Sequence, residues 1–192
     1  MSPLAMLPLA AAVAAAPADQ NAAAHKFAAC IARAAPGEAR QFLMTDTMSA
    51  SSTAALAAAI NGPGEKCKKK AKGLTVGRAI FAGMIAEAML HARFQPSMSV
   101  DDLKVDPRTQ RFPVQSAPDT VGLCAVAKAP AATSALIATQ PGSLGESRQI
   151  EAIRTVAQGC MKPGATLKAG APLLRSIVSL AAWRMVSAEK AR

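Results

Sequence analysis

Four cysteines, set as two pairs at nearly the same separation, limit what this 192-residue chain can fold into. Cys30 precedes Cys67 by 67 − 30 = 37 positions, and Cys124 precedes Cys160 by 160 − 124 = 36. Six residues after the first cysteine of each pair stands a proline: CIARAAP at 30–36 and CAVAKAP at 124–130. FLMT at 42–45 and LIAT at 136–139 fall in register behind them. Each stretch then closes on an arginine leading an apolar stripe, RAIFAGMIAEAM from Arg78 and RSIVSLAAWRMV from Arg175. The order of features predicts one unit present twice, from Phe27 to Met89 and again from Leu123 to Val186. Two units are too few for a solenoid.

The N-terminus decides how the cysteines are read. MSPLAMLPLAAAVAAAPADQ carries an apolar stretch from Leu4 to Ala16, too short to cross a bilayer as a helix. Ala16-Pro17-Ala18 fits the small-x-small rule for cleavage before Asp19, so residues 1–18 are expected to be a signal peptide. No Lys or Arg precedes the apolar stretch, which departs from the usual signal pattern. FAAC at 27–30 has the outline of a lipobox, but His25 and Lys26 interrupt the run before it. A periplasmic or secreted location follows as an expectation. In such a compartment an even number of cysteines predicts disulfides. The repeat favours Cys30–Cys67 with Cys124–Cys160, and exchange between the units, Cys30–Cys160 with Cys67–Cys124, is the symmetric alternative. Zinc has little support, with no CxxC and neither histidine at ligand spacing from a cysteine.

Covalent support matters because the core materials are thin. The chain is 51% hydrophobic, but alanine makes up about a quarter of it and aromatics only 3%. Alanine favours helix and buries little area. The expected fold is therefore all-α: two tandem disulfide-linked helical repeats, residues 19–93 and 119–192, each of about four short helices. A proline-rich linker, 94–118, joins them.

Along the chain, Phe27, Cys30, Ile31 and Ala34 recur at i, i+3, i+4, i+7, an amphipathic helix stopped near Pro36. His25 and Lys26 lie off that stripe and are expected to be solvated. GEARQFLMT reads as a short helix, and SASSTAALAAAI as an alanine-rich helix with serine caps, ended by NGPG. Ile80, Phe81, Met84, Ile85, Ala88 and Met89 form the clearest stripe, with Arg78, Glu87 and His91 off it. The linker's apolar residues Val100, Leu103, Val105, Phe112 and Val114 predict that it lies along the helices. Asp101, Asp102 and Asp106 lack the ligand series of a calcium loop. The second unit opens at DTVGLCAVAKA, with Asp119 or Thr120 as cap. Ser143 and Glu146 fit a capping box. Pro172 suits a first helical turn, and Leu173, Leu174, Ile177, Val178 and Ala181 are expected to face inward, with Trp183 at their flank and partly buried.

Charge supplies the one functional signal. The net charge is +10, and its densest concentration is EKCKKKAKG, where Lys66, Lys68, Lys69, Lys70 and Lys72 surround Cys67. A disulfide-tethered basic loop is suited to anionic surfaces. No aromatic residue interleaves the lysines, which argues against a nucleic-acid platform. Motifs for catalysis are lacking: two histidines, no tyrosine, no phosphate-cradling glycine loop, no GxSxG and no paired carboxylates in matched settings.

The two cysteine-to-proline motifs, the second cysteines and the Leu173-Leu174-Arg175 lead into the terminal helix resemble small, alanine-rich, exported proteins of high-GC bacteria. That resemblance spans both units and implies a helical exported protein with cysteine-paired repeats. It implies no activity, ligand or functional residue. The expectation for function is a non-enzymatic, cofactor-free binding or structural module whose basic face meets anionic envelope lipid or polysaccharide. The alternative is a protein–protein interaction module or inhibitor docking through apolar helix faces.

Overall fold

The computed structural model describes residues 17–47, 49–94, 97–104 and 116–189. In chain order these form α1 (Pro17–Ala34), α2 (Pro36–Met44), α3 (Ala50–Asn61), a 3₁₀ segment (Glu65–Ala71), α4 (Arg78–Arg93), a 3₁₀ turn (Asp101–Leu103), α5 (Ala117–Lys128), α6 (Pro130–Ala138), α7 (Leu144–Gln158) and α8 (Ala171–Glu189). No strand occurs among the described residues.

Proline makes two sharp corners. It has no N–H to lose and a φ preset for a first turn, so it starts a helix where the preceding one must end. Pro36 does this after α1 and Pro130 after α5, where the chain bends by 102°. The residues at the two corners share one backbone shape: Ala35 at φ −135°, ψ 57° and Ala129 at φ −132°, ψ 55°. The next turns are also alike. Thr45 and Thr139 donate their hydroxyls to the carbonyls of Phe42 and Leu136, at 2.7 and 2.6 Å. Ser49 and Ser143 then cap α3 and α7, each accepting the N–H three residues on at 3.1 Å. Glu146 completes the second cap by accepting the Gly142 N–H.

The helix at the centre is α8, whose side chains from Val178 to Ala188 are all buried. A helix apolar nearly all round needs neighbours on every side. It packs chiefly on α4 and α5, and α4 packs in turn on α1, where the rings of Phe27 and Phe81 stack at 5.1 Å. Small residues let these helices approach closely. A Cβ on Gly83 would overlap the backbone of Ser176, whose hydroxyl donates to the Ile80 carbonyl at 3.0 Å. Gly122 plays the same part between α5 and α8, facing Ile177. Trp183, expected to be partly buried at the flank, is only 3% exposed.

Both disulfides form within their own halves. Cys30–Cys67 bridges α1 to the 3₁₀ segment with Cα atoms 5.8 Å apart. Cys124–Cys160 bridges α5 to the end of α7 at 6.0 Å. The exchanged pairing is excluded.

Further expectations need correction, among them that of a solvated His25, which is half-buried. α5 is capped by Ser116, which accepts the Asp119 N–H at 3.3 Å, and begins at Ala117, inside the stretch read as linker. Asp119, expected with Thr120 as a candidate cap because it opens the periodic run, is buried and holds Arg184. Glu87, placed off the apolar stripe of α4, is also buried, because α8 covers the face it occupies. Within 94–118, Met98 and Leu103 are buried, and Ser134 of α6 donates to the Met98 carbonyl at 2.6 Å. Val105, Phe112 and Val114 lie outside the described residues, as do residues 1–16 of the expected signal peptide. No single helix among the described residues is long and apolar enough to cross a membrane.

Candidate functional site

The lysine-rich stretch is wound as a 3₁₀ helix, and that winding decides which way its side chains go. With three residues per turn, residues three apart lie one above the other. Cys67 is fully buried against α1, so Lys70 stands on the side facing α1. Lys66, Lys68, Lys69, Lys70 and Lys72 are all exposed. Lys68 is partly neutralised by Glu65, one turn earlier, at 2.6 Å.

α1 supplies the other wall. Ala23, Lys26, Ala29 and Arg33 run along one of its faces, and with Lys70 they line an opening of about 420 Å³. Among the described residues no carboxylate lines it. Among the described residues Lys26, Arg33 and Lys70 make no ion pair, and Lys26 and Arg33 are exposed. The five lysines singled out in the sequence are thus joined by two cations of α1. The sequence alone marks Lys26 only as solvated and gives Arg33 no part. The signal was present in the spacing. Cys30 stands four residues after Lys26 and three before Arg33, so a disulfide at Cys30 brings the lysines of Cys67 between them.

A second opening, about 410 Å³, lies between α1 and α4 and shares Ala29 and Arg33 with the first. Its other lining residues include His25, Met84, Glu87 and His91. Its floor is the outer end of a buried charge network. Arg175 donates through Nε and Nη2 to the two oxygens of Glu87 at 2.8 and 2.7 Å. Its Nη1 reaches Glu146 at 3.1 Å, and Nη2 also donates to the Thr139 carbonyl at 2.8 Å. Ser179 donates to Glu87 at 3.3 Å, and His91 Nε2 stands 3.7 Å from Glu87.

Burial alone would raise the pKa of Glu87, but the His91 and Arg175 contacts and the Arg175 charge overcome it and hold the carboxyl at about 2. At 3.7 Å the histidine is beyond hydrogen-bond range, so the arginine fork is the stronger of these contacts. Burial pushes His25 below the usual histidine value, the charge of Glu87 opposing that shift. A carboxylate so acidic is a poor proton acceptor at neutral pH, and this one already accepts from Arg175 twice and from Ser179. The network therefore organises charge. No group of three or more His, Cys, Asp or Glu placed to hold a metal ion occurs among the described residues.

Fold and site together define an all-helical protein with two disulfides and a cation-rich groove on its first helix. No protein-family model matches the chain, and comparison with curated proteins and with solved structures finds no match.

Proposed function

We propose that this is a non-enzymatic, exported helical binding module, periplasmic or secreted, whose basic face meets an anionic component of the cell envelope. The observation that carries this reading is the placement of five exposed lysines on a segment held to α1 by Cys30–Cys67, beside Lys26 and Arg33. A rigid array of like charges costs less ordering on binding than a free loop would. Each Lys or Arg near an anionic membrane surface adds about 1 kcal/mol. Export is supported by the disulfides, which belong to oxidising compartments.

Internal duplication is part of the same proposal. Cys124 − Cys30, Pro130 − Pro36, Thr139 − Thr45 and Ser143 − Ser49 each give 94, and Cys160 − Cys67 gives 93. Those positions carry the matched corners, helix ends, caps and bridges. The lysine cluster has no counterpart beyond Lys162 and Lys168, so the first unit holds the binding face.

Docking of a protein partner through apolar helix faces has less surface to work with. The apolar stripes are used in the core, and Leu144, 82% exposed, is the exposed large hydrophobe among the described residues.

Retention of the protein on vesicles of anionic phospholipid, and on an acidic polysaccharide, tests the reading. Binding should weaken as salt rises and disappear when Lys66, Lys68, Lys69, Lys70 and Lys72 become Ser. Equal retention of the two proteins at low salt removes it.

A further inference from the structure

We infer that the groove between α1 and the 3₁₀ segment is a site for a phosphate monoester, with Lys26, Arg33 and Lys70 as its ligands. The inference rests on the proposed anionic partner and narrows it from a charged surface to one chemical group.

Three arguments carry it. The first is convergence. Lys26 and Arg33 are seven residues apart on α1, two turns or about 10 Å along the axis, and Lys70 enters from a different element, yet all three border one opening of about 420 Å³. Cations spread on a convex surface read only a field, whereas cations around a concavity meet on one ligand. The second is charge balance. Among the described residues no acid lines the groove and the three side chains make no ion pair, whereas neighbouring Lys68 is already paired with Glu65. A group that carries nearly two negative charges on three acceptor oxygens uses three cations better than a carboxylate or a phosphodiester, each with one charge. Arg33 adds a planar two-pronged donor, the geometry that fits phosphate oxygens. The third is the lining between the cations. Ala23 and Ala29 also border the opening, so apolar surface lies beside the charges for the carbon end of an amphiphile.

Cys30–Cys67 is what makes the site possible. Cys30 sits beside Ala29 on α1, and Cys67 lies one 3₁₀ turn before Lys70. The bridge therefore sets the distance between the two walls.

The experiment compares zwitterionic phosphatidylcholine vesicles doped with phosphatidic acid against vesicles doped with phosphatidylglycerol, matched in surface potential. The first lipid presents a monoester and the second a diester. The wild-type chain should prefer the monoester vesicles severalfold. Lys26→Ser with Arg33→Ser should lower retention on them on the order of tenfold and abolish the preference. Lys162→Ser with Lys168→Ser, which removes two exposed cations elsewhere, should keep the preference. Lys26→Arg with Arg33→Lys, with charge retained, should bind more tightly than the serine pair. Inorganic phosphate as competitor separates the sources: displacement assigns free phosphate to the site, and its failure assigns the membrane-borne headgroup. Equal binding to the two vesicles, or a serine pair that binds as wild type, overturns the phosphate site. If the five-lysine variant still loses binding in that case, the basic-face reading survives alone. A wild-type chain retained by neither vesicle removes both.

Discussion

Arg175 and Glu87 form a two-pronged ion pair between α8 and α4, with 3% and 6% of their side chains exposed. Removing one member of such a pair strands a charge where water cannot reach it. Arg175→Met leaves both Glu87 and Glu146 without their cation, and a loss of about 3–5 kcal/mol is expected. Adding Glu87→Leu to Arg175→Met should restore part of that loss, because the double variant strands one carboxylate fewer. Urea unfolding of the four proteins of the cycle checks this, and strictly additive losses would show that the pair is not coupled.

The same pair gives stability a pH dependence. Glu87 has a folded pKa of about 2 against an ordinary 4.5, a depressed value, so its contribution is complete above pH 4.5 and drains away as pH falls toward 2. The difference corresponds to about 3 kcal/mol. His25 acts at a higher pH. Its folded pKa lies below the ordinary 6.5, so the unfolded chain takes up the proton first and stability declines once pH drops under 6.5. Melting temperature should therefore fall in two stages on acidification, the upper removed by His25→Ala and the lower by Glu87→Gln. A profile flat from pH 7 to pH 3 would contradict both.

One substitution should have opposite signs at two glycines. At Gly83 an added Cβ meets the Ser176 backbone where α4 and α8 cross, and a rigid helix cannot give way. Gly83→Ala should cost about 1–3 kcal/mol. Gly37 lies in the first turn of α2 with nothing within 4 Å of a new Cβ, and its φ is not positive. Gly37→Ala should stabilise by about 0.4–1 kcal/mol, by restricting the unfolded chain. Thermal melts of the two variants provide the comparison.

Local signals explain what could be read ahead of the structure. Prolines at 36 and 130, serines at 49 and 143 and the Ser143–Glu146 box act through near neighbours, so they gave the corners and caps correctly. Cysteine spacing favours the observed pairing but leaves exchange between the units open, and the structure decides between them. Buried charge was not legible, because Glu87, Asp119, Arg175 and Arg184 find partners far along the chain. Arg184 donates to the Leu43 and Thr45 carbonyls at 2.8 and 2.6 Å and holds Asp119 at 2.8 Å. A charge inside an apolar stripe looks like a break in the pattern until the opposing helix is known. The cation-lined groove is legible only in part: Cys30 stands between Lys26 and Arg33 in the sequence, but that Lys70 joins them depends on the bridge to Cys67.

That bridge can be separated from its twin. The two loops have nearly equal length, so chain entropy assigns each disulfide a similar stabilisation, up to about 4 kcal/mol. Cys30→Ser with Cys67→Ser should therefore lower the unfolding free energy about as much as Cys124→Ser with Cys160→Ser. Their effects on binding should part company. The first pair of substitutions frees the lysine segment from α1 and should weaken retention on anionic vesicles severalfold at a temperature where both variants remain folded. The second leaves the groove intact and should retain the protein as wild type does. Circular dichroism fixes the temperature, and vesicle sedimentation reads the binding. If both variants bind alike, the cations need no covalent placement, and the basic segment acts only as a diffuse charge.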